Sequence, residues 1–229
     1  MSPARFRAVN GFLEFEQIPA PRNTVLHGDC LTVLPTLPAG SVDFILTDPP
    51  YLVRYRDRAG RTVANDNNPR WLHPAFRDMH RVLKSDSLMV CFYGWQAIDT
   101  FMDAWKQAGF RPVGHIVLAK SYPSSSRFLQ HHHEQAYLLA KGSPALPGTP
   151  VPDLLPFPYT GNRRHPTEKP VRPLRTLVEA FTEPGQLVLD PFCGSGSSLV
   201  AARQLGRDVL GIELDAGHVE TARARILSP

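Results

Sequence analysis

The sequence predicts an α/β fold in which helices flank one central sheet. Short apolar runs rich in β-branched and aromatic residues alternate with segments of helical periodicity almost throughout the chain. Two of these runs end in loops rich in proline or glycine, at 47–51 and 190–196. The chain has 229 residues, of which 42% are hydrophobic, so it can bury one substantial core, and we expect a single domain over 1–229.

The predicted elements alternate along the chain. Strands are expected near 24–27, 42–47, 87–93, 114–119, 135–140, 186–190 and 208–213. Helices are expected at about 69–82, 96–108, 170–181, 197–205 and 216–226. The proline-rich stretch 142–158 has neither periodicity and is interpreted as a loop. A connection at about 142–165 would then join a first half at about 24–140 to a second half at about 166–227.

The loop after the second predicted strand is Thr47-Asp48-Pro49-Pro50-Tyr51. Its two prolines fix φ and remove two donors, so the loop is stiff and its carbonyls point outward unpaired. Asp48 and the Pro49 carbonyl could accept both hydrogens of an exocyclic amine while Tyr51 stacks on the ring. Taken alone, this string is equally compatible with an ordinary proline-rich turn that exposes an Asp.

The second loop lies between a predicted strand and a predicted helix. Gly194 and Gly196 permit close approach of the backbone to a ligand. The next strand ends in Glu213, about 20 residues on, the position of a carboxylate that binds ribose hydroxyls. Leu199 occupies the place of the third glycine of a dinucleotide fingerprint. A pyrophosphate cradle is therefore disfavoured, and a nucleoside without phosphates is favoured.

Four strings in this order resemble the S-adenosylmethionine-dependent DNA amino-methyltransferases, in the arrangement that places the catalytic motif before the cofactor glycine loop. The strings are Gly28-Asp29-Cys30, Thr47-Asp48-Pro49-Pro50-Tyr51, His165-Pro166-Thr167-Glu168-Lys169-Pro170 and Asp190-Pro191-Phe192-Cys193-Gly194-Ser195-Gly196. The resemblance runs from about residue 25 to residue 226. It implies a Rossmann-like methyltransferase fold with a mixed, mostly parallel sheet flanked by helices and a circularly permuted motif order.

The resemblance also implies residue roles and S-adenosylmethionine as the cofactor. The residues implied at the target base are Asp48, Pro49, Pro50 and Tyr51. The residues implied at the cofactor are Asp29, Cys30, Asp48, His165, Thr167, Lys169, Asp190, Phe192, Gly194, Ser195, Gly196, Glu213 and Leu214. Within this set, Asp29 would lie near the adenine, Glu213 at the ribose, and Thr167 and Lys169 near the methionine carboxylate.

The residues themselves leave the last string ambiguous. A threonine and a lysine between prolines, just before a helix, form a plausible anion site. Equally, Pro170 could simply begin that helix, and Glu168 could cap it without any role in binding.

The implied reaction moves a methyl group from the cofactor to N6 of a flipped adenine in double-stranded DNA. Members of the family that modify cytosine at N4 tend to carry Ser before the two prolines, so Asp48 favours adenine. The alternatives are an N4-cytosine enzyme, a non-catalytic DNA-binding regulator on the same scaffold, and a methyltransferase of RNA or protein.

Basic residues fit a DNA partner. The formal net charge is +4, a weak indication on its own. The arginines expected to contact DNA are Arg54, Arg56, Arg58, Arg61, Arg127, Arg163 and Arg164. A solvated surface loop is the alternative for these clusters. Segments 52–69 and 121–134 are expected to recognise sequence, and because they offer little surface, a homodimer is expected.

The remaining signals bear on metals and location. Cys30, Cys91 and Cys193 have neither the spacing of zinc ligands nor an even count, which favours a reducing cytoplasm. The run His131-His132-His133-Glu134 lacks helical ligand spacing, so no metal is expected, and the related family often has a His-Glu pair here. No run approaches membrane-spanning length, so we expect a cytoplasmic, nucleoid-associated protein without a membrane partner.

Overall fold

The computed structural model describes residues 19–55, 60, 62, 64–123, 128–159 and 168–229, together with the backbone of 6–9 and 12–15. The strands are β1 (Phe6–Val9), β2 (Phe12–Phe15), β3 (Thr24–His27), β4 (Val42–Thr47), β5 (Leu83–Phe92), β6 (Arg111–Ala119), β7 (His133–Lys141), β8 (Leu154–Pro156), β9 (Leu187–Asp190) and β10 (Asp208–Glu213). The helices are α1 (Cys30–Val33), α2 (Leu72–Val82), α3 (Ile98–Ala108), α4 (Val171–Phe181), α5 (Ser197–Arg203) and α6 (Ala216–Leu227). Single 3-10 turns lie at Leu34–Thr36, Pro69–Trp71 and Trp95–Ala97.

Eight strands form one sheet in the order β3-β10-β9-β4-β5-β7-β6-β8, and β1 and β2 pair separately as an antiparallel hairpin. Strand β7 runs antiparallel to both of its neighbours, and the other neighbouring strands pair in parallel. The expectation of a mixed, mostly parallel sheet flanked by helices is confirmed. None of the helices in the described ranges is long and apolar enough to cross a membrane.

Helices cover both faces of the sheet, which explains why its central strands are apolar without alternation. All four residues of β9 are buried, as are the last four of β4. One apolar cluster packs α2 and α3 against one face, and the other packs α4, α5 and α6 against the opposite face. The central strands therefore have no solvent-facing side, and polar groups are left for their ends.

The proline-rich stretch 142–158 was interpreted as a loop, but it contains β8. This strand extends the sheet in parallel beside β6, with Leu155 buried in the core. A strand of three residues has no detectable periodicity, and an edge position tolerates neighbouring prolines because one row of N–H groups has no partner there. The hairpin of β1 and β2 and the short helix α1 were not predicted either.

The bounds of three strands also differ from the prediction. Strand β5 begins at Leu83 rather than near 87, β6 at Arg111 rather than 114, and β7 covers His133–Lys141 rather than 135–140. The added residues are largely polar and exposed, for example at 84–86. Leu83 and Arg111 pair with residues of neighbouring strands, while residues 84–86 lie at a register shift between β4 and β5, and an apolar pattern indicates neither case.

Candidate active site

The loops after β4 and β9 open into one cavity of about 400 Å³ at the carboxyl edge of the sheet. Strands β4 and β9 are direct neighbours, with Phe44 opposite Val188 and Ile45 opposite Leu189. A hydrogen bond of 3.0 Å from Thr47 Oγ1 to Asp190 Oδ1 ties the two loops together, although the residues are 143 positions apart. In open α/β sheets, ligands bind at this edge.

Asp48 receives hydrogen bonds from two side chains at the cavity wall. The Tyr51 hydroxyl donates to Oδ1 at 2.8 Å, and the Lys169 ammonium donates to Oδ2 at 2.6 Å. The Lys169 nitrogen also lies 5.2 Å from the ring centroids of both Tyr51 and Phe92. Pro49 and Pro50 complete this part of the lining. Lys169, expected near a methionine carboxylate, is thus placed against the Asp48 carboxylate.

The electrostatics of these groups follow from burial and from each other's charge. Burial raises the pKa of Asp48, although the Lys169 ammonium opposes the shift. Burial alone would lower the pKa of Lys169, but the carboxylates of Asp48 and Glu134 outweigh it and hold that pKa above its usual value. Burial and then Asp48 raise the pKa of Tyr51 well above its usual value. Lys169 is therefore a cation and Tyr51 a neutral donor near neutral pH.

Glu134 and Lys120 belong to the same cluster and were not among the predicted site residues. The Tyr51 hydroxyl lies 3.4 Å from Glu134 Oε2, and the Lys120 ammonium pairs with Glu134 Oε1. Burial would raise the pKa of Glu134, but Lys169 and Lys120 outweigh it and lower that pKa. The His-Glu pair at the start of a predicted strand was the available signal, but sequence alone did not connect it with Asp48.

In the glycine loop, Asp190 organises the backbone. Its Oδ1 accepts from the Phe192 N–H at 3.0 Å, and Oδ2 accepts from the Ser198 hydroxyl. Burial raises the pKa of Asp190 to about 7. The next residues turn through a left-handed conformation at Gly194 (φ 51°), which lines the cavity.

Gly196, by contrast, lies outside the cavity lining. Its φ is 85°, and a Cβ placed there would lie 3.0 Å from the Cβ of Ala222. The glycine is therefore required for close packing of α5 against α6.

Glu213, the last residue of β10, accepts a hydrogen bond from the glycine loop. Glu213 Oε2 accepts from the Gly194 N–H, and Oε1 accepts from the Asp215 N–H, both at 2.8 Å. Leu214 lines the same side of the cavity. The carboxylate is thus fixed in place, and each oxygen keeps a second lone pair for a ligand hydroxyl.

Asp29 and Cys30 line the cavity beside this acid. Asp29 Oδ1 accepts from the Leu31 N–H at 2.9 Å and so caps α1. Burial, with Asp29 next, raises the pKa of Cys30 to about 12, which keeps the thiol protonated. A protonated thiol is a poor nucleophile, so Cys30 contributes to the shape of the cavity rather than to covalent chemistry.

Arg225, on α6, holds Ser195 in the glycine loop. Its Nη1 donates to the Ser195 carbonyl at 2.7 Å and to the Ser195 Oγ at 3.2 Å. The same nitrogen lies 3.5 Å from Glu168 Oε1. Glu168 is therefore buried in an ion pair and does not cap α4, whose N-cap is Pro170 without a side-chain hydrogen bond. No local pattern in the sequence indicated Arg225.

Part of the predicted recognition segment 52–69 covers the cavity. Asp66 is 3% exposed and accepts from the N–H groups of Val53 and Tyr55, while its carbonyl accepts from the Arg54 N–H at 3.2 Å. Arg54 is exposed and has a φ of 54°, in the left-handed region that non-glycine residues rarely adopt. Residues of this segment at the cavity are Val53, Tyr55, Thr62, Ala64, Asn65 and Asp66.

The remaining predicted site residues fall outside the described residues. They are Arg56, Arg58, Arg61, Arg127, Arg163, Arg164, His165 and Thr167. In the part of the chain that is described, no group of three or more His, Cys, Asp or Glu side chains could hold a metal ion. His131, from the histidine run, stacks on the ring of Trp95 with centroids 5.7 Å apart.

Comparison with known sequences places these motifs in a family. The sequence profile of the N6_N4_Mtase family, described as DNA methylase, matches residues 42–160 and 149–224. YubD of Escherichia coli K12, a proposed methylase, is 59% identical over 189 residues, covering 82% of this chain and 83% of YubD. The DNA adenine methyltransferase YhdJ of the same organism is 28% identical, covering 89% and 82% of the two chains.

Solved structures of similar fold include a complex with S-adenosylmethionine and a DNA methyltransferase. The complex of M1.HpyAVI with S-adenosylmethionine has a TM-score of 0.71 at 23% identity and covers 90% of this chain and 99% of its own. The cytosine-N4-specific PvuII DNA methyltransferase has a TM-score of 0.73 at 16% identity, covering 92% and 88%. At these identities the likeness establishes the fold, and the profile match establishes the family. The chain belongs to the N6/N4 family of DNA methylases.

Proposed function

We propose that this protein transfers a methyl group from S-adenosylmethionine to the N6 amino group of a flipped adenine in double-stranded DNA. The observation that carries the proposal is the meeting of the Asp48 loop and the glycine loop in one cavity. An acceptor for an amine and a cradle for a nucleoside thus open into the same space. Both loops end neighbouring strands, so the two ligands would approach each other directly.

The cavity suits the cofactor by its donor and acceptor set. S-adenosylmethionine supplies an electrophilic methyl group on a positively charged sulfur. Glu213 offers free lone pairs for ribose hydroxyls, and Asp29, which lines the same cavity, would contact the adenine. Phe192 and Gly194 line the wall between Glu213 and Asp48. The structure of M1.HpyAVI with S-adenosylmethionine, which shares the fold, supports the same assignment.

Asp48 and Tyr51 suit the amine and ring of the base. An exocyclic amine is a poor nucleophile because its lone pair is delocalised into the ring, and hydrogen bonds to Asp48 and the Pro49 carbonyl would draw electron density toward the nitrogen. Each Asp48 oxygen keeps a lone pair despite its bonds to Tyr51 and Lys169. Stacking on Tyr51 is worth roughly 1–3 kcal/mol, which offsets most of the few kcal/mol needed to flip the base.

Adenine is favoured over cytosine by residue 48. In the N6/N4 family, the members that modify cytosine tend to have Ser before the two prolines. This chain has Asp48 at that position. The adenine methyltransferase YhdJ supports the same choice. N4-cytosine methylation is the second candidate, because the cytosine-N4-specific PvuII enzyme shares the fold.

DNA would lie across the mouth of the cavity, with Arg54 as an exposed phosphate contact there. We further propose a homodimer, because segments 52–69 and 121–134 of one chain offer little surface for reading a site. Light scattering at micromolar concentration, with and without DNA, tests this, and a monomeric mass in both conditions contradicts it.

The proposed reaction is tested by incubating the purified protein with mixed-sequence duplex DNA and labelled S-adenosylmethionine, then digesting the DNA to nucleosides for mass analysis. N6-methyl-2′-deoxyadenosine is the expected product. N4-methyl-2′-deoxycytidine would select the second candidate. Absence of label, with the cofactor and DNA both bound, would replace the proposal with a non-catalytic DNA-binding regulator.

A further inference from the structure

We propose that Glu134, held in place by Lys120, is a positioning residue for methyl transfer that frees Asp48 to receive the target amine. The inference rests on the proposed function. It concerns a partly buried chain of polar and charged side chains that joins β6 and β7 to the Asp48 loop. In order, its members are Lys120, Glu134, Tyr51, Asp48 and Lys169.

The two strands bring Glu134 and Lys120 together. Glu134 is the second residue of β7 and lies opposite Leu118 of β6, two positions before Lys120. The Lys120 N–H donates to the His132 carbonyl at 2.7 Å, which fixes the backbone around the pair. The Lys120 side chain is 5% exposed and the Glu134 side chain 21% exposed. The Lys120 ammonium also lies 5.2 Å from the centroid of the Phe157 ring.

Such a pair is weak as a source of stability. Removing two charges from water costs several kcal/mol per ion, and well-packed apolar residues often replace a buried ion pair without loss. What the pair does provide is a fixed carboxylate directed at the Tyr51 hydroxyl. A second, partly buried carboxylate behind the proposed methyl-transfer site is therefore explained better by the reaction than by folding.

The Tyr51 hydroxyl has one proton and two carboxylates within reach. It donates to Asp48 at 2.8 Å, and Glu134 lies at 3.4 Å as the alternative acceptor. When a base donates one amine hydrogen to Asp48 and the other to the Pro49 carbonyl, the Tyr51 hydroxyl can turn to Glu134 instead. The Glu134 carboxylate also attracts the Lys169 ammonium. This attraction weakens the ion pair between Lys169 and Asp48. Asp48 then keeps its acceptor strength for the amine.

The charge of Glu134 also affects the ionisation of Asp48. Burial and the Lys169 ammonium dominate the pKa of Asp48, and Glu134 raises it further. The groups that face Asp48 are Lys169, Tyr51, Glu134, Cys91 and Asp190. The groups that face Glu134 are Lys120, Lys169, Tyr51, Asp48 and Tyr122. Loss of the Glu134 charge should therefore lower the pKa of Asp48.

The test measures kcat against pH for the wild type, Glu134→Gln and the double variant Lys120→Met/Glu134→Gln. We expect Glu134→Gln to lower the plateau of kcat by about 10- to 100-fold, as for misplaced catalytic groups. The acid limb of its kcat–pH profile, which reports ionisation of Asp48, should move to lower pH. Cofactor affinity by calorimetry should stay close to that of the wild type, because Glu134 and Lys120 do not line the cavity.

The double variant guards against a folding artefact, because it leaves no unpaired buried charge. It should unfold near the wild-type temperature and still lose kcat to a similar extent, since the two residues act as one unit. Asp78→Asn is the matched control: Asp78 is buried, accepts from Arg81 Nε at 2.9 Å and lies away from the cavity. Its kcat and pH profile should match the wild type.

Two outcomes separate this inference from the proposed function. Wild-type kcat and an unmoved acid limb in both Glu134 variants, with the wild type methylating DNA, would overturn the inference alone. A wild type that binds DNA and cofactor but transfers no methyl group at any pH would overturn both.

Discussion

Gly94, which follows β5, lies so close to Tyr51 that a single methyl group should disturb the site. A Cβ at this position would lie 2.7 Å from the Tyr51 carbonyl oxygen and 2.8 Å from the Tyr51 Cβ. Both distances are shorter than real contacts, and neither atom is the end of a flexible side chain. The backbone itself is ordinary at Gly94, with φ −81° and ψ 122°, so alanine could adopt it. The effect of Gly94→Ala is therefore purely steric.

The size of the effect follows from overpacking. Inserting a methyl group into a packed site costs about 1–3 kcal/mol. For a chain of this length, each kcal/mol lowers the melting temperature by roughly 2–4 °C, so a fall of about 2–12 °C is expected. Any relief by movement of the loop displaces Tyr51 and, through its hydrogen bond, Asp48. A displacement near 1 Å costs about 100-fold in turnover.

Gly114→Ala in β6 is the matched control. A Cβ there would lie 3.4 Å from the Leu138 Cβ, an ordinary contact. Its free energy of unfolding should change by less than about 1 kcal/mol, and its turnover should not change. Differential scanning calorimetry and the methylation assay compare both variants with the wild type. If Gly94→Ala behaved like Gly114→Ala in both measurements, the assigned contact between β5 and the Asp48 loop would be wrong.

Three further substitutions test the site. Asp48→Asn should lower turnover by about 100- to 1000-fold in the methylation assay while cofactor affinity stays within a few-fold, because it removes the charged acceptor. Glu213→Ala should weaken cofactor binding by roughly 10- to 100-fold in calorimetry, as expected for a charged hydrogen bond that is lost. Asp190 has a pKa raised by burial from 3.8 to about 7, so its protonated form stabilises the fold below 3.8 and this contribution is lost as pH rises to about 7. Urea unfolding at several pH values in that window should show a shallower decline with pH for Asp190→Asn than for the wild type.

The central strands could be predicted because burial on both faces leaves an unmistakable apolar run. Strands β4 and β9 lie at the predicted positions for this reason. Strand β8 could not be predicted, since its three residues gain their hydrogen bonds from β6, a partner more than 30 positions away. The start of β5 could not be predicted either, since Leu83 pairs with Val42 of β4 and the exposed residues 84–86 that follow lie at a register shift.

Local chemistry indicated Asp48, Tyr51 and Glu213, and the structure brings all three to one cavity. The residues around them were harder to foresee. Glu134 reaches Tyr51 across 83 positions, and Arg225 reaches Ser195 across 30. These contacts depend on the packing of whole elements, so the sequence predicts the residues that carry chemistry better than those that hold them. Lys169 illustrates the difference, because the sequence indicated the residue but not that its ammonium would pair with Asp48.

The charges where the two loops meet also favour a cationic cofactor. Asp48 and Glu134 are balanced by Lys169 and Lys120, so this cluster carries little net charge. Asp190, at the junction, is largely kept neutral by burial until pH rises to about 7. A positively charged sulfur close to it would lower the pKa of Asp190 and gain an ion-pair partner, whereas a phosphate would oppose its ionisation. The absence of the third glycine and this buried carboxylate both support our proposal that the loop binds the sulfonium cofactor rather than a pyrophosphate.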